Sequence, residues 1–318
     1  MIELDRIYNE DCLAGMKRIP DGSVDCIICD LPYGTMKGID DRHDWDIIIP
    51  TDKLFAEYER VLRRNGLAIL FSQEPYTSHL RTYILRNMEF CYPMIWLKNV
   101  AGNAMSAKKA PVSLFEDINI FVKVADSANL YPLREYAKKV MEFTGRNGCR
   151  MEKELAAKGV DKPWELHHFI AGDAYSNIRI TSEYAYNMLI EHYGLDKMEG
   201  FMSFADLKEA DARYKEKFAR TFNLPEGKKS KSNVLQYPKD PKGIHPTQKP
   251  LALIQDLVRT YTNEGDTVLD NCMGSGTTAI ACLKENRRFI GFELNTEYYK
   301  GACKRIEAEQ QQRKLFFV

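Results

Sequence analysis

A β-prone run, a glycine-rich turn and an apolar helical run follow one another near the C-terminal end of the chain. They span Thr267-Val268-Leu269-Asp270, then Asn271-Cys272-Met273-Gly274-Ser275-Gly276-Thr277-Thr278, then Ala279-Ile280-Ala281-Cys282-Leu283. No other stretch constrains the fold as much. A strand that closes on Gly-x-Gly and restarts as a helix is the opening of a nucleotide-binding α/β crossover, in which glycines let the backbone approach a ligand closely. The turn lacks the Gly-Lys-Ser/Thr of a phosphate loop and the third glycine of the dinucleotide fingerprint, so it specifies neither ligand. Phe289 to Asn295 then reads as a second strand ending on Glu293, where an acidic side chain suits ribose hydroxyls.

Near the other end, Val24-Asp25-Cys26-Ile27-Ile28-Cys29 is an apolar run that stops on Asp30-Leu31-Pro32-Tyr33. Asp30 can accept hydrogen bonds from an amino group, Pro32 stiffens the turn without donating, and Tyr33 offers a flat face for stacking. The set suits an exocyclic amine on a planar base. It equally suits a strand closed by a capped proline turn.

Between these ends, strands and helices alternate. Arg6 to Asn9 and Val24 to Asp30 read as strands, and Thr51 to Arg64 as an amphipathic helix with Leu54, Phe55, Tyr58, Val61 and Leu62 on one face, ended by Asn65-Gly66. Leu67 to Ser72 is the next strand, Tyr76 to Asn87 a helix, Tyr92 to Lys98 and Asp117 to Lys123 two further strands, and Leu251 to Tyr261 a helix. The pattern predicts an α/β fold with a mostly parallel sheet, antiparallel where no helix separates consecutive strands. Ligands in such sheets sit at the carboxyl ends of strands, where Asp30, Asp270 and Glu293 all fall.

Four motifs in one order resemble the amino-group DNA methyltransferases that use S-adenosylmethionine: Asp30-Leu31-Pro32-Tyr33, His245-Pro246-Thr247-Gln248-Lys249-Pro250, Asp270 through Thr278, and Gly291-Phe292-Glu293. The order is that of the permuted beta group, with the catalytic motif first, target recognition in the middle and the cofactor motif last. The resemblance covers roughly residues 1 to 125 and 235 to 310. It implies a circularly permuted Rossmann-like methyltransferase sheet, with a catalytic half (1–125), a helical target-recognition insertion (126–237) and a cofactor-binding half (238–318).

The resemblance also implies roles. Asp30 and the Leu31 carbonyl would accept hydrogen bonds from the target amine, Pro32 would fix the turn, and Tyr33 would stack on a base flipped out of the duplex. For the cofactor, Asp11 and Cys12 lie in Tyr8-Asn9-Glu10-Asp11-Cys12-Leu13, where the adenine would be bound. Gly274 and Gly276 allow close approach, Asp270 pairs with the ammonium and Glu293 binds the ribose diol. Asp30, Ser275, Thr277, Thr278 and Asn295 complete the set, while His245 closes the site with Thr247 and Lys249 near the carboxylate. Relatives often carry Pro-Phe where this chain has Asn271-Cys272, so the packing of Cys272 on the adenine is a departure. Leu31 replaces a first Pro of many relatives.

The implied reaction is site-specific methylation of DNA at N6 of adenine. Relatives acting on N4 of cytosine usually carry Ser in place of Asp30. Other readings are an RNA or protein-glutamine methyltransferase, whose glycine motif normally comes first, and a DNA-binding protein of this fold without catalysis. Implied partners are DNA, a second copy in a homodimer, and a cognate restriction endonuclease.

The chain carries 45 Lys+Arg against 45 Asp+Glu, a formal net charge of zero, so contact with DNA requires a local patch. Lys37, Arg42 and His43 lie in Thr35 to Trp45, read as a mobile loop that orders over the target base. Lys228, Lys229 and Lys231 form a lysine cluster suited to a phosphate backbone, or a solvated linker. The insertion reads as helices over Leu133 to Phe143, Arg150 to Lys158, Pro163 to Ala171, Ser182 to His192 and Phe204 to Phe218. It suits a helix-turn-helix module with His167 and His168 near phosphates or base edges, or a bundle that only packs on the sheet or forms an oligomer contact.

The eight cysteines include one Cys-x-x-Cys, Cys26 and Cys29, with no second pair and no His at zinc-finger spacing. Buried reduced thiols are expected, with no metal. No apolar run is long enough to span a membrane, and the acidic N-terminus is no signal peptide, so a cytoplasmic protein is expected.

Overall fold

The computed structural model describes residues 2–34, 46–83, 87–100, 108, 111–124, 131–161, 163–166, 169, 180–240, 243–245 and 247–316. The chain divides into two compact units, Met1–Val124 with Arg220–Val318, and Ala125–Ala219.

The first unit holds a sheet of eight strands: β1 (Arg6–Tyr8), β2 (Val24–Asp30), β3 (Leu62–Ser72), β4 (Met88–Leu97), β5 (Phe115–Lys123), β6 (Val234–Gln236), β7 (Thr267–Asp270) and β8 (Arg288–Phe292), in the order β1-β8-β7-β2-β3-β5-β4-β6. From β1 to β3 every pairing is parallel. β5 runs antiparallel to both β3 and β4, the reversal expected where no helix was read between strands. The alternation along β2 sets the layers. Cys26 and Ile28 join one core with Leu253, Ile254, Leu257 and Val258 of helix Leu251–Tyr261, while Ile27 and Cys29 join the other with Leu54, Phe55, Tyr58 and Val61 of helix Thr51–Val61. Cys26 and Cys29 are therefore buried thiols of the central strand.

Three expectations are corrected here. The helix read to Arg64 ends at Val61, because Leu62 is already extended and pairs with Val24 of β2. Arg63 is drawn onto Asp25 (Nε to Oδ1, 2.6 Å), and the register shifts between Val24 and Cys26, so residues 63–66 form an irregularity within β3 rather than a helix end. The helix read to Asn87 ends at Thr82, and β4 begins at Met88. Residues 220–237, read as part of the insertion, belong to the first unit: β6 pairs with β4, and the Asn223 side chain donates to the Arg259 and Thr262 carbonyls, both at 3.0 Å.

The second unit is helical, with Pro132–Thr144, Gly148–Ala157, Glu183–Tyr193 and Phe204–Lys217 around its own core of Tyr136, Val140, Met151, Leu155, Phe169, Tyr186 and Leu207. Gly145 and Gly194 end two of these helices in the left-handed conformation, which glycine adopts without steric cost. Of residues 163–171 the structure describes a short 3₁₀ turn, Pro163–Leu166, and Phe169, which is helical. Among the described residues no helix is long and apolar enough to cross a membrane.

Candidate active site

β7 lies between β2 and β8, with Ile27 opposite Leu269 and Asp270 opposite Gly291. Asp30, Asp270 and Glu293 therefore meet at one carboxyl edge, although they come from opposite ends of the chain. Here the order of the sheet changes direction, the place where open α/β sheets bind ligands.

The glycine turn is fastened by two carboxylates. Asp270 accepts from the Thr278 hydroxyl at 2.6 Å and the Cys272 amide at 3.0 Å. Glu293 accepts from the Gly274 amide at 2.8 Å and the Asn295 amide at 2.7 Å. Gly274 (φ +52°) and Gly276 (φ +80°) occupy the left-handed region that side chains resist. Ser275 shares a hydroxyl hydrogen bond with Thr277 at 3.0 Å, and Arg305 donates to the Ser275 carbonyl at 2.5 Å. Both Asp270 oxygens are thus engaged in shaping the turn, a structural part beside the ammonium-binding role expected of it. Burial pushes its carboxyl up to about 6.

Asn271 and Cys272, the departure from Pro-Phe, are built into the floor. The Tyr58 hydroxyl donates to the Asn271 side-chain carbonyl at 2.5 Å, while the Asn271 amide faces the sulfurs of Cys272 at 3.4 Å and Cys12 at 3.8 Å. Burial pushes the Cys12 thiol up to about 12, away from the thiolate form. Asp11 caps the helix Cys12–Met16 by accepting from the Ala14 amide at 2.9 Å. Asn9 ties the two chain halves together, donating to the carbonyls of Glu293 (2.8 Å) and Leu294 (3.0 Å).

At the end of β2, the Tyr33 hydroxyl donates to Asp30, and Leu31 and Pro32 are buried behind them. The Tyr33 ring lies 6.5 Å from that of Tyr76. Lys249 is placed differently from expectation. Its ammonium pairs with Asp30 and lies 3.1 Å from Glu116 Oε2, and Glu116 Oε1 in turn pairs with Lys98 at 2.6 Å. The Lys249 side chain is 6% exposed, so its charge is taken up by these two carboxylates rather than offered at the surface. Sequence reasoning missed Glu116 and Lys98. Their one signal was charge at the ends of otherwise apolar strands.

His245 packs edge-on against Tyr298 at 4.2 Å and accepts from the Thr247 amide at 3.3 Å. Burial, with the Lys249 charge adding to it, pulls its imidazole down to about 4. Lys231 is a further correction: its ammonium holds both Asp256 oxygens at 2.6 Å and its side chain is 7% exposed, so it braces helix Leu251–Tyr261 and is not presented to a phosphate. Lys228 and Lys229 are exposed. Lys37, Arg42, His43, His167 and His168 lie outside the described residues.

The donor set fits S-adenosylmethionine. A Cβ at Gly274 would meet nothing nearer than 3.9 Å, so the backbone there is open to a ligand, whereas at Gly276 it would meet Ala302 at 3.1 Å. The carboxylates at Asp270 and Glu293 retain lone pairs for an ammonium and a diol. A family model for N6/N4 DNA methylases matches residues 24–304. The DNA adenine methyltransferase YhdJ of Escherichia coli K12 is 26% identical over 309 residues, covering 96% of this chain and 83% of that protein. The Type II methyltransferase M.HindIII of Haemophilus influenzae is 26% identical over 331 residues, covering 96% of each. The crystal structure of the M1.HpyAVI–SAM complex shares the fold, with a TM-score of 0.54 at 20% identity over 94% of this chain and 98% of that one. With the family model spanning most of its length and the motifs meeting at one sheet edge, the chain belongs to the N6/N4 DNA methylases, enzymes that move a methyl group from S-adenosylmethionine to an amino group of DNA.

Proposed function

We propose that the chain methylates N6 of adenine, with the target base flipped out of the duplex. The observation that carries this reading is the Asp30 carboxylate at the end of β2, with the Tyr33 hydroxyl on it, beside the strand that feeds the glycine turn. Asp30 and the Leu31 carbonyl accept hydrogen bonds from the amine and so direct its lone pair. Tyr33 stacks on the extruded base, recovering part of the few kcal/mol that unstacking costs. S-adenosylmethionine, when bound, supplies a methyl group made electrophilic by its cationic sulfur. Glu293 and the backbone left open at Gly274 hold that cofactor. Positioning and electrostatics, with no covalent enzyme intermediate, account for the rate.

An acid rather than a serine at position 30 supports adenine over cytosine, as does the likeness to a DNA adenine methyltransferase. The helical unit is assigned target recognition, with the exposed Lys228 and Lys229 contributing phosphate contacts. Likeness to a Type II methyltransferase supports a cognate endonuclease as partner. The test is transfer of labelled methyl to duplex DNA followed by base analysis and single-molecule mapping. Label is expected in N6-methyladenine within one sequence context and absent with Asp30→Ala. Label in cytosine, or an undiminished Asp30→Ala, would overturn the assignment.

A further inference from the structure

Asp30 ends a line of four alternating charges: Lys98, Glu116, Lys249, Asp30. Side-chain exposure along it is 3%, 10%, 6% and 23%, so the line opens toward solvent only at Asp30. Phe71 and Trp96 wall it in, with the Lys249 ammonium 5.1 Å from the first ring and 6.0 Å from the second. Burying four charges among aromatic rings costs several kcal/mol per ion before pairing, and well-packed apolar side chains would often be as stable. An arrangement so costly, ending on the one carboxylate expected to meet the amine, calls for a purpose in that carboxylate's chemistry.

We propose that Lys249 is the positioning residue of Asp30, holding it as an anion that accepts hydrogen bonds from the target amine, with Glu116 and Lys98 setting how strongly it does so. This rests on the role given to Asp30 above. A buried carboxyl drifts toward its protonated form, which donates a hydrogen bond where the amine requires an acceptor. Lys249 opposes that drift directly, and Tyr33 assists by donating to the same carboxylate. Glu116 works against it, since a second anion on Lys249 draws away part of the cation's field, and Lys98 limits this by neutralising Glu116. Among the described residues, the other titratable groups that act on Asp30 and its partners are Asp270 on β7, Cys29 on β2, Lys239 and His245. Burial keeps Asp30 above the ordinary carboxylate range even with Lys249 present, whereas the two lysines hold Glu116 below it. Of the two carboxyls in the line, Asp30 is therefore the one displaced upward.

Opposite signs test this. If Asp30 must be ionised, kcat/KM falls on the acidic side as Asp30 takes up a proton. Lys249→Met removes the cation and moves that acidic limb to higher pH, by about one to three units on the usual effect of an adjacent opposite charge. Glu116→Gln keeps shape but removes the competing anion, and moves the limb to lower pH. Lys249→Arg restores the limb toward the parent position. A merely structural role would lower the rate in both variants without moving the limb, and that result, or shifts of the same sign, overturns the proposal. Should Lys249→Met fail to fold, the downward shift in Glu116→Gln decides alone. Asp30→Asn separates the two levels: if it transfers methyl to DNA as the parent does, the role of Asp30 fails; if it is inactive while the limb stays fixed in the other variants, only the role of Lys249 fails.

Discussion

The Gly274 amide donates to Glu293 Oε2 at 2.8 Å, so the turn after β7 is hung on the residue that follows β8. The other oxygen of the same carboxylate takes the Asn295 amide at 2.7 Å. Glu293→Ala is expected to lose both anchors together with the diol contact proposed for this carboxylate. Charge-assisted hydrogen bonds contribute about 1.5–3 kcal/mol each, so S-adenosylmethionine affinity measured by titration calorimetry should fall at least about tenfold. An unchanged affinity would separate Glu293 from the cofactor.

Two glycines without unusual backbone angles are required by what lies against them. A Cβ on Gly15 would sit 2.1 Å from the Phe292 ring, and one on Gly291 would sit 2.3 Å from the terminal methyl of Met273. An aromatic ring in a packed core cannot yield as a thioether can. Gly15→Ala is expected to destabilise by about 1–3 kcal/mol, and Gly291→Ala by less. Urea midpoints compare them directly, and the reverse ranking would show that Phe292 moves aside freely.

What the sequence made legible is what local pattern controls. A continuous apolar run closing on Asp30 gave β2 its bounds, Val24–Asp30, because a strand buried on both faces is apolar along its length. The apolar residues between Pro250 and Thr262 gave helix Leu251–Tyr261, whose buried face repeats at the helical period. The early end of helix Thr51–Val61 was hidden, since Leu62 and Arg63 carry helical propensity and are pulled into β3 by Val24 and Asp25, nearly forty residues away. Partners of Lys249 were hidden for the same reason. Register places Trp96 opposite Glu116, bringing Lys98 and Glu116 together, and no local spacing encodes that pairing.

The lysine cluster before β6 splits by environment, and so should its variants. Lys228→Gln and Lys229→Gln are each expected to reduce the slope of log affinity for DNA against log salt by about one, with stability unchanged. Lys231→Gln leaves Asp256, its side chain only 16% exposed, without its cation and with the Tyr237 hydroxyl still on it, and is expected to cost about 3 kcal/mol of stability while the salt slope stays put. A fall in slope for Lys231→Gln would mean that its bond to Asp256 opens to admit DNA.

His245 adds a pH dependence that can be isolated. Its folded value, about 4, lies below its ordinary 6.5 because burial, and then the Lys249 charge, disfavour the imidazolium. Between these values the unfolded chain binds the additional proton, so this group's contribution is intact above pH 6.5 and lost as pH falls toward 4. Asp270 has the opposite slope. Its folded value, raised to about 6 from 3.8, makes the folded state the better proton acceptor there, so the two oppose each other in the parent. In the difference between the parent and His245→Gln the Asp270 contribution cancels. That difference, measured by urea unfolding, is expected to be flat above pH 6.5 and to shift in favour of the variant by about 3 kcal/mol as pH approaches 4. A constant difference across that window would show that His245 takes up its proton in the folded protein as readily as in the unfolded chain.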